Sequence, residues 1–207
     1  MTVKTYYVST SGEEKLSANF KVKEFQCHDG TDKVLIDSDL VLILQSIRTH
    51  FNKPVTITSA YRTASYNARI GSNPNSYHTK GKAADIQIFG ISPVLIGLYA
   101  ESIGAGGIGL YCYGTYAGFD HVDCRAVKYR WLTYERYGKY EQIPSVLPTL
   151  YKGNYGNVVK VLQRRLAINP DGKFGSGTLT VVKTFQRNNN LKVDGVVGKK
   201  TWTRLFS

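Results

Sequence analysis

An eight-residue pattern that occurs twice, 23 residues apart, constrains this chain more than any other feature. The pattern reads DGxΦGxxT, where Φ is an apolar residue, and it occupies residues 171–178 and 194–201. An apolar residue followed by Gln-Arg recurs at the same offset, with the glutamines at Gln163 and Gln186. Self-similarity at a fixed period indicates repeated supersecondary units. We therefore expect the C-terminal part of the chain to fold as a small repeated structure.

The segments that flank the repeated turns have helical spacing. Apolar residues recur at intervals of three or four residues within 158–166, 181–185 and 202–205. Each Asp-Gly supplies turn chemistry, and Thr178 and Thr201 stand where a helix N-cap is expected. The pattern predicts three short helices joined by two matching turns.

Residues 150–207 closely resemble the peptidoglycan-binding domain 1 family. The matching motifs occur in the family's order: Gly156-Asn157-Val158, Leu162-Gln163, both DGxΦG turns, Phe185-Gln186, and Thr201-Trp202 followed by Leu205. The resemblance implies a three-helix domain that holds a parent enzyme on the bacterial cell wall, with peptidoglycan as its partner.

Net charge changes sharply along the chain. Residues 1–149 carry 16 Lys and Arg against 13 Asp and Glu, whereas residues 150–207 carry 11 against 2, so their net charges are +3 and +9. A positive field attracts polyanions, which include nucleic acid, anionic membranes and anionic wall polymers. Charge alone does not choose among these partners.

A proline-containing segment lies at the charge step. Residues 141–149 contain Pro144 and Pro148 and no periodic pattern, which predicts a short stiff linker. We predict one domain at 1–140 and a second at 150–207.

Composition excludes several classes of protein. No apolar run approaches the roughly 18 residues that a membrane-spanning helix needs, and the N-terminal residues lack a signal-peptide pattern. Cys27, Cys112 and Cys124 are too few for a disulfide framework, so we predict three buried thiols.

The first half of the chain mixes helical and strand patterns. Apolar spacing predicts a helix within 33–50, with Asp37 or Ser38 as its N-cap. Runs rich in β-forming residues predict strands at 54–58, 84–88 and 121–123. Because strands and helices do not alternate regularly, we predict an α+β fold with a central antiparallel sheet. The glycine-rich run at 104–109 lacks a following Lys-Ser/Thr, which favours close packing or a turn over a phosphate-binding loop.

Four side chains of the first half are candidates for a metal site. His78 lies ahead of a strand that carries Asp85, with a glycine turn between them. His121 and Asp123 are two residues apart on a predicted strand, so their side chains point to the same face. Two imidazoles and a carboxylate suit zinc with an open fourth position, which is the arrangement of a catalytic site.

From about residue 19 to Arg125, the chain resembles the M15 family of zinc peptidases, in the branch that ends in His-Val-Asp. The matching motifs are Phe25-Gln26-Cys27, Thr58-Ser59-Ala60-Tyr61-Arg62, Tyr66-Asn67, SxHxxGxAxDI at 76–86, Gly107-Ile108-Gly109 and FxHVDxR at 119–125. The resemblance implies a zinc peptidase that acts on the D-amino-acid-containing peptides of peptidoglycan, as a carboxypeptidase or an endopeptidase. It also implies that His78, Asp85 and His121 bind the zinc ion.

Two further residues receive catalytic roles. Arg62 matches the family arginine that holds a substrate carboxylate or carbonyl oxygen, and a guanidinium suits both tasks. Other branches place a Glu or a His shortly before the last zinc histidine, where this chain has Gly118 and Phe119. We therefore predict that Asp123 shuttles protons for water at the metal. The inverse assignment, with Asp123 as ligand and His121 as base, stays open.

Together these features predict a zinc-dependent peptidase that resembles phage endolysins. We expect a monomer that is made in the host cytoplasm and acts on the cell wall after release, with peptidoglycan and anionic wall polymers as partners. No DNA-binding signature accompanies the positive charge, so nucleic acid is not expected as a partner. The alternative function is a non-catalytic wall-binding protein with a structural metal site. The cleaved bond, the target species and a phage or bacterial origin stay open.

Overall fold

The computed structural model describes residues 2–112, 118–134 and 139–206. The α-helices of these residues are Val8–Ser11 (α1), Ser38–Phe51 (α2), Ala64–Arg69 (α3), Pro93–Ser102 (α4), Asn157–Arg165 (α5), Ser176–Asn188 (α6) and Lys199–Phe206 (α7). The strands are Val3–Tyr7 (β1), Lys33–Asp37 (β2), Thr56–Ser59 (β3), Ala83–Gln87 (β4), Gly107–Tyr111 (β5), Phe119–Asp123 (β6), Tyr129–Thr133 (β7) and Glu141–Gln142 (β8). Two short 3-10 helices lie at Val22–Phe25 and Tyr77–Lys80.

A six-stranded sheet organises the first half, with strand order β3-β4-β6-β5-β7-β8. Its neighbouring strands are antiparallel except for β5 and β7, which run parallel. Strands β1 and β2 form a separate antiparallel pair. The predicted α+β class is confirmed, and the predicted antiparallel sheet is correct except at that one parallel pairing.

Helix α2 shows how local sequence determines the fold. It begins after Asp37, whose side chain accepts a hydrogen bond of 2.9 Å from the backbone N–H of Asp39, so the predicted N-cap is confirmed. The helix buries one apolar face, formed by Leu40, Val41, Leu44 and Ile47. Strands β3, β4 and β6 begin within two residues of the predicted starts.

Helices α5, α6 and α7 confirm the predicted three-helix region, but the predicted threonine N-caps are wrong. Helix α6 follows Gly175, and Thr178 lies inside its first turn. The Thr178 hydroxyl accepts from Gln163 Nε2 at 3.1 Å and donates to the carbonyl of Lys173 at 3.3 Å. Thr201 occupies the same place in α7. Each hydroxyl thus bonds back to the preceding turn instead of forward to the helix amides.

The repeated glutamines explain the period of the sequence. Gln163 Nε2 donates to Asp171 Oδ1 at 2.6 Å and to the carbonyl of Lys173 at 3.1 Å, while its Oε1 accepts from Gly172 N at 2.8 Å. Gln186 makes the same bonds 23 residues later, to Asp194, Val196 and Gly195. Each buried amide therefore ties one turn to the helix before it.

Residues 141–149 contact both halves of the protein. Their first two residues form β8, and Ile143 and Val146 are buried. Trp202 Nε1 donates to the carbonyl of Pro148 at 3.0 Å, and Glu141 Oε2 accepts from Asn157 N at 2.6 Å at the start of α5. The segment is anchored to both halves by these contacts, and the proposed domain boundaries stay a prediction.

The cysteines are buried and unpaired, as predicted. Burial raises the pKa of Cys124 to about 12 and that of Cys112 further, so both are protonated thiols at neutral pH. Across the described ranges, the helices are too short or too polar to cross a bilayer.

Candidate metal centre

Strand register places the candidate residues in one row across the sheet. Asp85 on β4 lies opposite His121 on β6, His121 lies opposite Gly109 on β5, and Gly109 lies opposite Trp131 on β7. A Cβ at Gly109 would overlap the Trp131 ring. Glycine therefore lets the indole lie over β5, where its ring centroid is 5.0 Å from that of His121. The glycine-rich run is a close-packing segment, as predicted.

His78 reaches the same row from the 3-10 helix before β4. The hydroxyl of Ser76 caps this helix by accepting from His78 N at 3.3 Å. Gly81 then turns the chain with φ of 68°, and a Cβ at this position would overlap the backbone of Leu35. Only glycine suits this left-handed, crowded turn. The turn brings His78 directly before β4 and against Asp85.

Three ligand atoms converge at this point. Asp85 Oδ1 lies 3.2 Å from His78 Nε2 and 3.0 Å from His121 Nδ1, and the two nitrogens are 3.1 Å apart. Zinc ligands at about 2.0–2.1 Å from the ion lie about 3.3 Å from each other in a tetrahedron. Among the described residues this is the one group of three or more His, Cys, Asp or Glu side chains that could hold a metal ion.

In each imidazole, the ring nitrogen that points away from the cluster, here called the outer nitrogen, has a hydrogen-bond acceptor. His78 Nδ1 donates to the carbonyl of Ala60 at 2.7 Å, and His121 Nε2 donates to Asp123 Oδ2 at 3.1 Å. These bonds place a proton on each outer nitrogen and aim the inner nitrogen at the cluster. The donor set and its orientation therefore fit a zinc ion.

The pKa shifts of Asp85 and His78 favour the ionised carboxylate and the neutral imidazole, which are the forms that bind a metal ion. Burial lowers the pKa of His78. Burial alone would raise the pKa of Asp85, but the adjacent His78 and His121 hold it well below its usual range. Burial also opposes protonation of His121, yet its hydrogen bonds to Asp123 and Asp85 raise its pKa. Metal binding would compete with protonation of His121, because ligation needs the neutral imidazole.

Arg62 lies beside the cluster, as the sequence predicted. Its Nη2 donates to Asp85 Oδ2, and its Nε donates to Ser59 Oγ at 2.8 Å. The pairing occupies one oxygen of Asp85 and leaves Oδ1 facing the imidazoles. Arg62 and the cluster line an open cleft of about 660 Å³.

Asp123 lies behind His121, away from the three ligand atoms. It is fully buried, and its Oδ1 accepts from Gly107 N at 2.8 Å and from Arg125 N at 3.0 Å. The Arg125 guanidinium binds both carboxylate oxygens, and Oδ2 also accepts from His121 Nε2.

The predicted proton shuttle stays a prediction, and this placement favours a positioning role for Asp123. The carboxylate is saturated by protein donors, and it contacts the His121 nitrogen that points away from the cluster. His121, and not Asp123, joins His78 and Asp85 in the cluster, so the geometry also disfavours the inverse assignment. His121 and Asp123 do lie on the same face of the strand, as predicted. The roles of the site residues stay predictions.

For three aromatic or basic residues beside the site, the sequence predicted no function. Tyr77, Arg125 and Trp131 line the cleft with the cluster. Arg125 stood in the FxHVDxR motif without a role, and Tyr77 is adjacent to His78 in sequence. Trp131 is placed by the parallel pairing of β5 and β7, for which the sequence carries no local signal.

Comparison with protein families matches both halves of the chain. Residues 18–123, about half of the chain, match the family described as "Peptidase M15". Residues 155–205 match the family described as "Putative peptidoglycan binding domain".

Individual relatives cover parts of the chain. The "Probable peptidoglycan L,D-endopeptidase MepK" of Haemophilus influenzae is 35% identical over 101 residues, which are 45% of this chain and 53% of the relative. The peptidoglycan L,D-endopeptidase MepK of Escherichia coli K12 is 40% identical over 76 residues, 34% of this chain and 40% of the relative. The chain thus spans about half the length of the curated relatives it matches, or less.

A solved structure is similar over a shorter stretch. The Burkholderia AP3 phage endolysin is 38% identical, over 28% of this chain and 24% of its own, with a TM-score of 0.28.

Proposed function

This chain belongs to the peptidase M15 family, and from that premise we propose that it is a zinc-dependent peptidase that cleaves the peptide part of bacterial peptidoglycan. The observation that carries the proposal is the convergence of His78 Nε2, Asp85 Oδ1 and His121 Nδ1 within 3.2 Å at an open cleft. The names of the MepK relatives support the substrate class.

The cluster suits a catalytic rather than a structural zinc ion. Structural zinc sites are closed by four protein ligands, whereas catalytic sites keep one position open. Among the described residues the cluster has three members and lines the cleft. The position of the cluster at an open cleft favours an enzyme over the alternative of a wall-binding protein with a structural metal.

Each residue of the site has a definable task. His78, Asp85 and His121 would hold the zinc ion, which when bound polarises a carbonyl group and increases the acidity of water. Arg62 is fixed by Ser59 and Asp85, and its guanidinium would bind the carbonyl oxygen as negative charge develops there. Asp123 would hold the ring of His121 in the orientation that ligation needs.

Mass spectrometry of digested walls tests this function and identifies the bond. Purified peptidoglycan is incubated with zinc-loaded protein, with chelated protein and with chelated protein given zinc again. We expect new peptide termini in the first and third samples, and about one zinc ion per chain in the active protein. Cleavage inside a stem or cross-link would indicate an endopeptidase, and loss of a terminal D-Ala a carboxypeptidase. Peptidoglycan left uncut by zinc-loaded protein would contradict the proposal.

We also propose that the three-helix region binds the cell wall. The match of residues 155–205 and the net charge of +9 on residues 150–207 support this binding. Full-length His78→Ala protein, which we expect to leave walls undigested, is sedimented with walls at rising salt. Binding through exposed charges to anionic wall polymers should be released by moderate salt and lost on walls stripped of those polymers. Binding that survives both treatments indicates recognition of glycan or peptide, and no sedimentation at low salt would refute a wall-binding role.

A further inference from the structure

A second arginine lines the cleft and has a fixed orientation. Arg125 follows β6, and its Nε lies 2.9 and 2.8 Å from the two oxygens of Asp123. Its Cζ lies 4.3 Å from the centroid of the Tyr77 ring and 5.4 Å from that of Tyr129. Trp131, which contacts His121, lies 5.8 Å away. The carboxylate and the rings thus hold the guanidinium in one position beside the metal centre.

The backbone makes room for this arrangement. A Cβ at Gly107 would lie 2.7 Å from Arg125 Nε and would overlap the carboxylate of Asp123. A Cβ at Gly106 would overlap the backbone of Arg125. Gly106, directly before β5, and Gly107, its first residue, are therefore needed for the Asp123–Arg125 pair to occupy its place.

Part of the guanidinium is left unused by the protein. Nε and Nη2 bind Asp123, whereas Nη1 has no hydrogen-bond acceptor among the described residues. The Arg125 side chain retains 18% of its exposure and lines the same cleft as Arg62. A planar guanidinium held along one edge presents its remaining N–H groups in a geometry that matches a carboxylate.

The described lining of the cleft presents no unpaired negative charge that would repel an anionic ligand. Of the described residues that line it, Asp85 is the one acid, and this carboxylate is already paired with Arg62 and two imidazoles. Among the lining residues that the structure describes, two guanidinium groups are therefore present and the one carboxylate is already paired.

We propose that Arg125 is a specificity-determining residue that binds a free carboxylate of the substrate peptide near the scissile bond. The inference rests on the proposed peptidase function and names the substrate class more narrowly: peptides with a carboxylate outside the main peptide linkage. A γ-linked glutamate supplies such a group, and so does the second carboxylate of a diamino diacid. Amidation of that carboxylate removes its charge and one acceptor oxygen, so amidated peptides should be poor substrates.

The test compares substrates that differ only by amidation. Zinc-loaded full-length protein is assayed on matched stem peptides in which the glutamate carboxylate, the diamino-diacid carboxylate, both or neither are amidated. We expect kcat/KM to fall about 10- to 100-fold when the recognised carboxylate is amidated, since a hydrogen bond to a charged group is lost. The arm that shows the fall identifies which carboxylate binds.

Substitution of Arg125 separates substrate binding from structural support of Asp123. In Arg125→Gln the preference for the carboxylate over the amide should approach unity, while Arg125→Lys should retain part of it through its charge. Arg69 is the matched control, because its guanidinium also stacks on a tyrosine but lies outside the cleft. Arg69→Gln should keep the full preference.

Several results would overturn the inference. A purely structural role predicts that Arg125→Gln slows both substrates by the same factor and keeps the preference. Equal rates of the parent protein on amidated and free peptides would refute carboxylate recognition even if the variants do not fold. If the parent cleaves none of these peptides nor purified walls, the peptidase function itself is wrong, and the inference fails with it.

Discussion

The cleft and the C-terminal repeat both bury polar side chains, but the two regions satisfy them differently. In the repeat, Gln163 and Gln186 each have donors and acceptors matched by atoms of one adjacent turn. In the cleft, three acceptor atoms of His78, Asp85 and His121 face one another within 3.2 Å. Buried polar groups are normally paired, and three convergent ligand atoms of this kind suit a bound cation.

The difference separates residues that maintain the fold from residues that bind a ligand. A repeated polar residue with a complete set of protein partners should affect stability when it is replaced. A polar residue whose partners are other acceptors should affect ligand binding instead. The predictions below test this division, from the largest expected effect to the smallest.

Removal of a proposed zinc ligand should abolish activity. His78→Ala should lose stoichiometric zinc and lower kcat/KM by about 10³-fold or more, because a catalytic metal contributes several kcal/mol to transition-state stabilisation. Zinc content and peptide hydrolysis are measured on the same protein sample. The matched control is His28→Ala, since this histidine is exposed and outside the cluster. Full activity in metal-free parent protein would remove the basis for a zinc enzyme.

Asp123→Asn tests whether this residue supports the site or transfers protons. Loss of a carboxylate that orients a ligating imidazole should weaken zinc affinity about 10- to 100-fold, with most activity restored at saturating zinc. A proton shuttle predicts the opposite: zinc affinity retained and activity about 10²–10⁴-fold lower at any zinc concentration. Zinc titration followed by hydrolysis assays at saturation distinguishes the two. Asp120→Asn, on the opposite face of β6, should leave zinc affinity unchanged.

The ligand cluster could be predicted because the resemblance to the M15 family implies His78, Asp85 and His121 as zinc ligands. Their contacts span 36 and 43 residues of sequence, and local patterns account only for how each residue is presented. The glycine turn between His78 and β4, and the alternation of side chains along β6, are each encoded in a few residues. The role of Asp123 could not be predicted in the same way. Alternation places Asp123 and His121 on one face, but it does not say which imidazole nitrogen meets the carboxylate; that depends on Gly107 and Arg125, which fix Asp123.

The threonines of the repeat show a second limit. Asp-Gly followed by a threonine is compatible with a hydroxyl that caps the next helix or one that bonds back to the turn. The choice depends on the buried amide of Gln163, which lies 15 residues before Thr178 in the sequence and 3.1 Å away in space. The position of Trp131 is likewise set by a nonlocal parallel strand pairing.

The repeat glutamines should affect stability alone. Gln163→Leu leaves the buried Gly172 N without its acceptor and removes one of the two donors to the carbonyl of Lys173, so the free energy of unfolding should fall by about 1–3 kcal/mol. Gln186→Leu should cost a similar amount, because its bonds are the same. Urea unfolding measures both, and zinc affinity should stay at the parent value. The exposed Gln142 is the control, and Gln142→Leu should change stability by no more than about 0.5 kcal/mol. A loss of zinc binding in either repeat variant would contradict the division between the two regions.

Asp120 is a buried polar residue that lies in neither the cleft nor the repeat. It lies on the face of β6 opposite His121, is fully buried, and has no hydrogen-bond partner for either oxygen among the described residues. Burial raises its pKa well above the ordinary value. Asp120→Val should therefore increase the free energy of unfolding at pH 7 by about 1–3 kcal/mol, which is the usual cost of a buried unpaired polar group.

The pH dependence of the stability gained in Asp120→Val provides a sharper test. A carboxyl whose pKa is higher in the folded state than its value of about 3.9 in the unfolded chain loses stability as pH rises between these two values. Below about pH 4 the group is neutral in both states, so the advantage of Asp120→Val should shrink from pH 7 to pH 4. Asp120→Asn cannot ionise but still buries an unpaired amide, so its difference from Asp120→Val should not change with pH. Urea unfolding of zinc-saturated parent and variants at several pH values measures these differences. An advantage that grows in acid would mean that Asp120 is stabilised as a carboxylate in the folded protein, and its burial would then require a cationic partner as the cleft does.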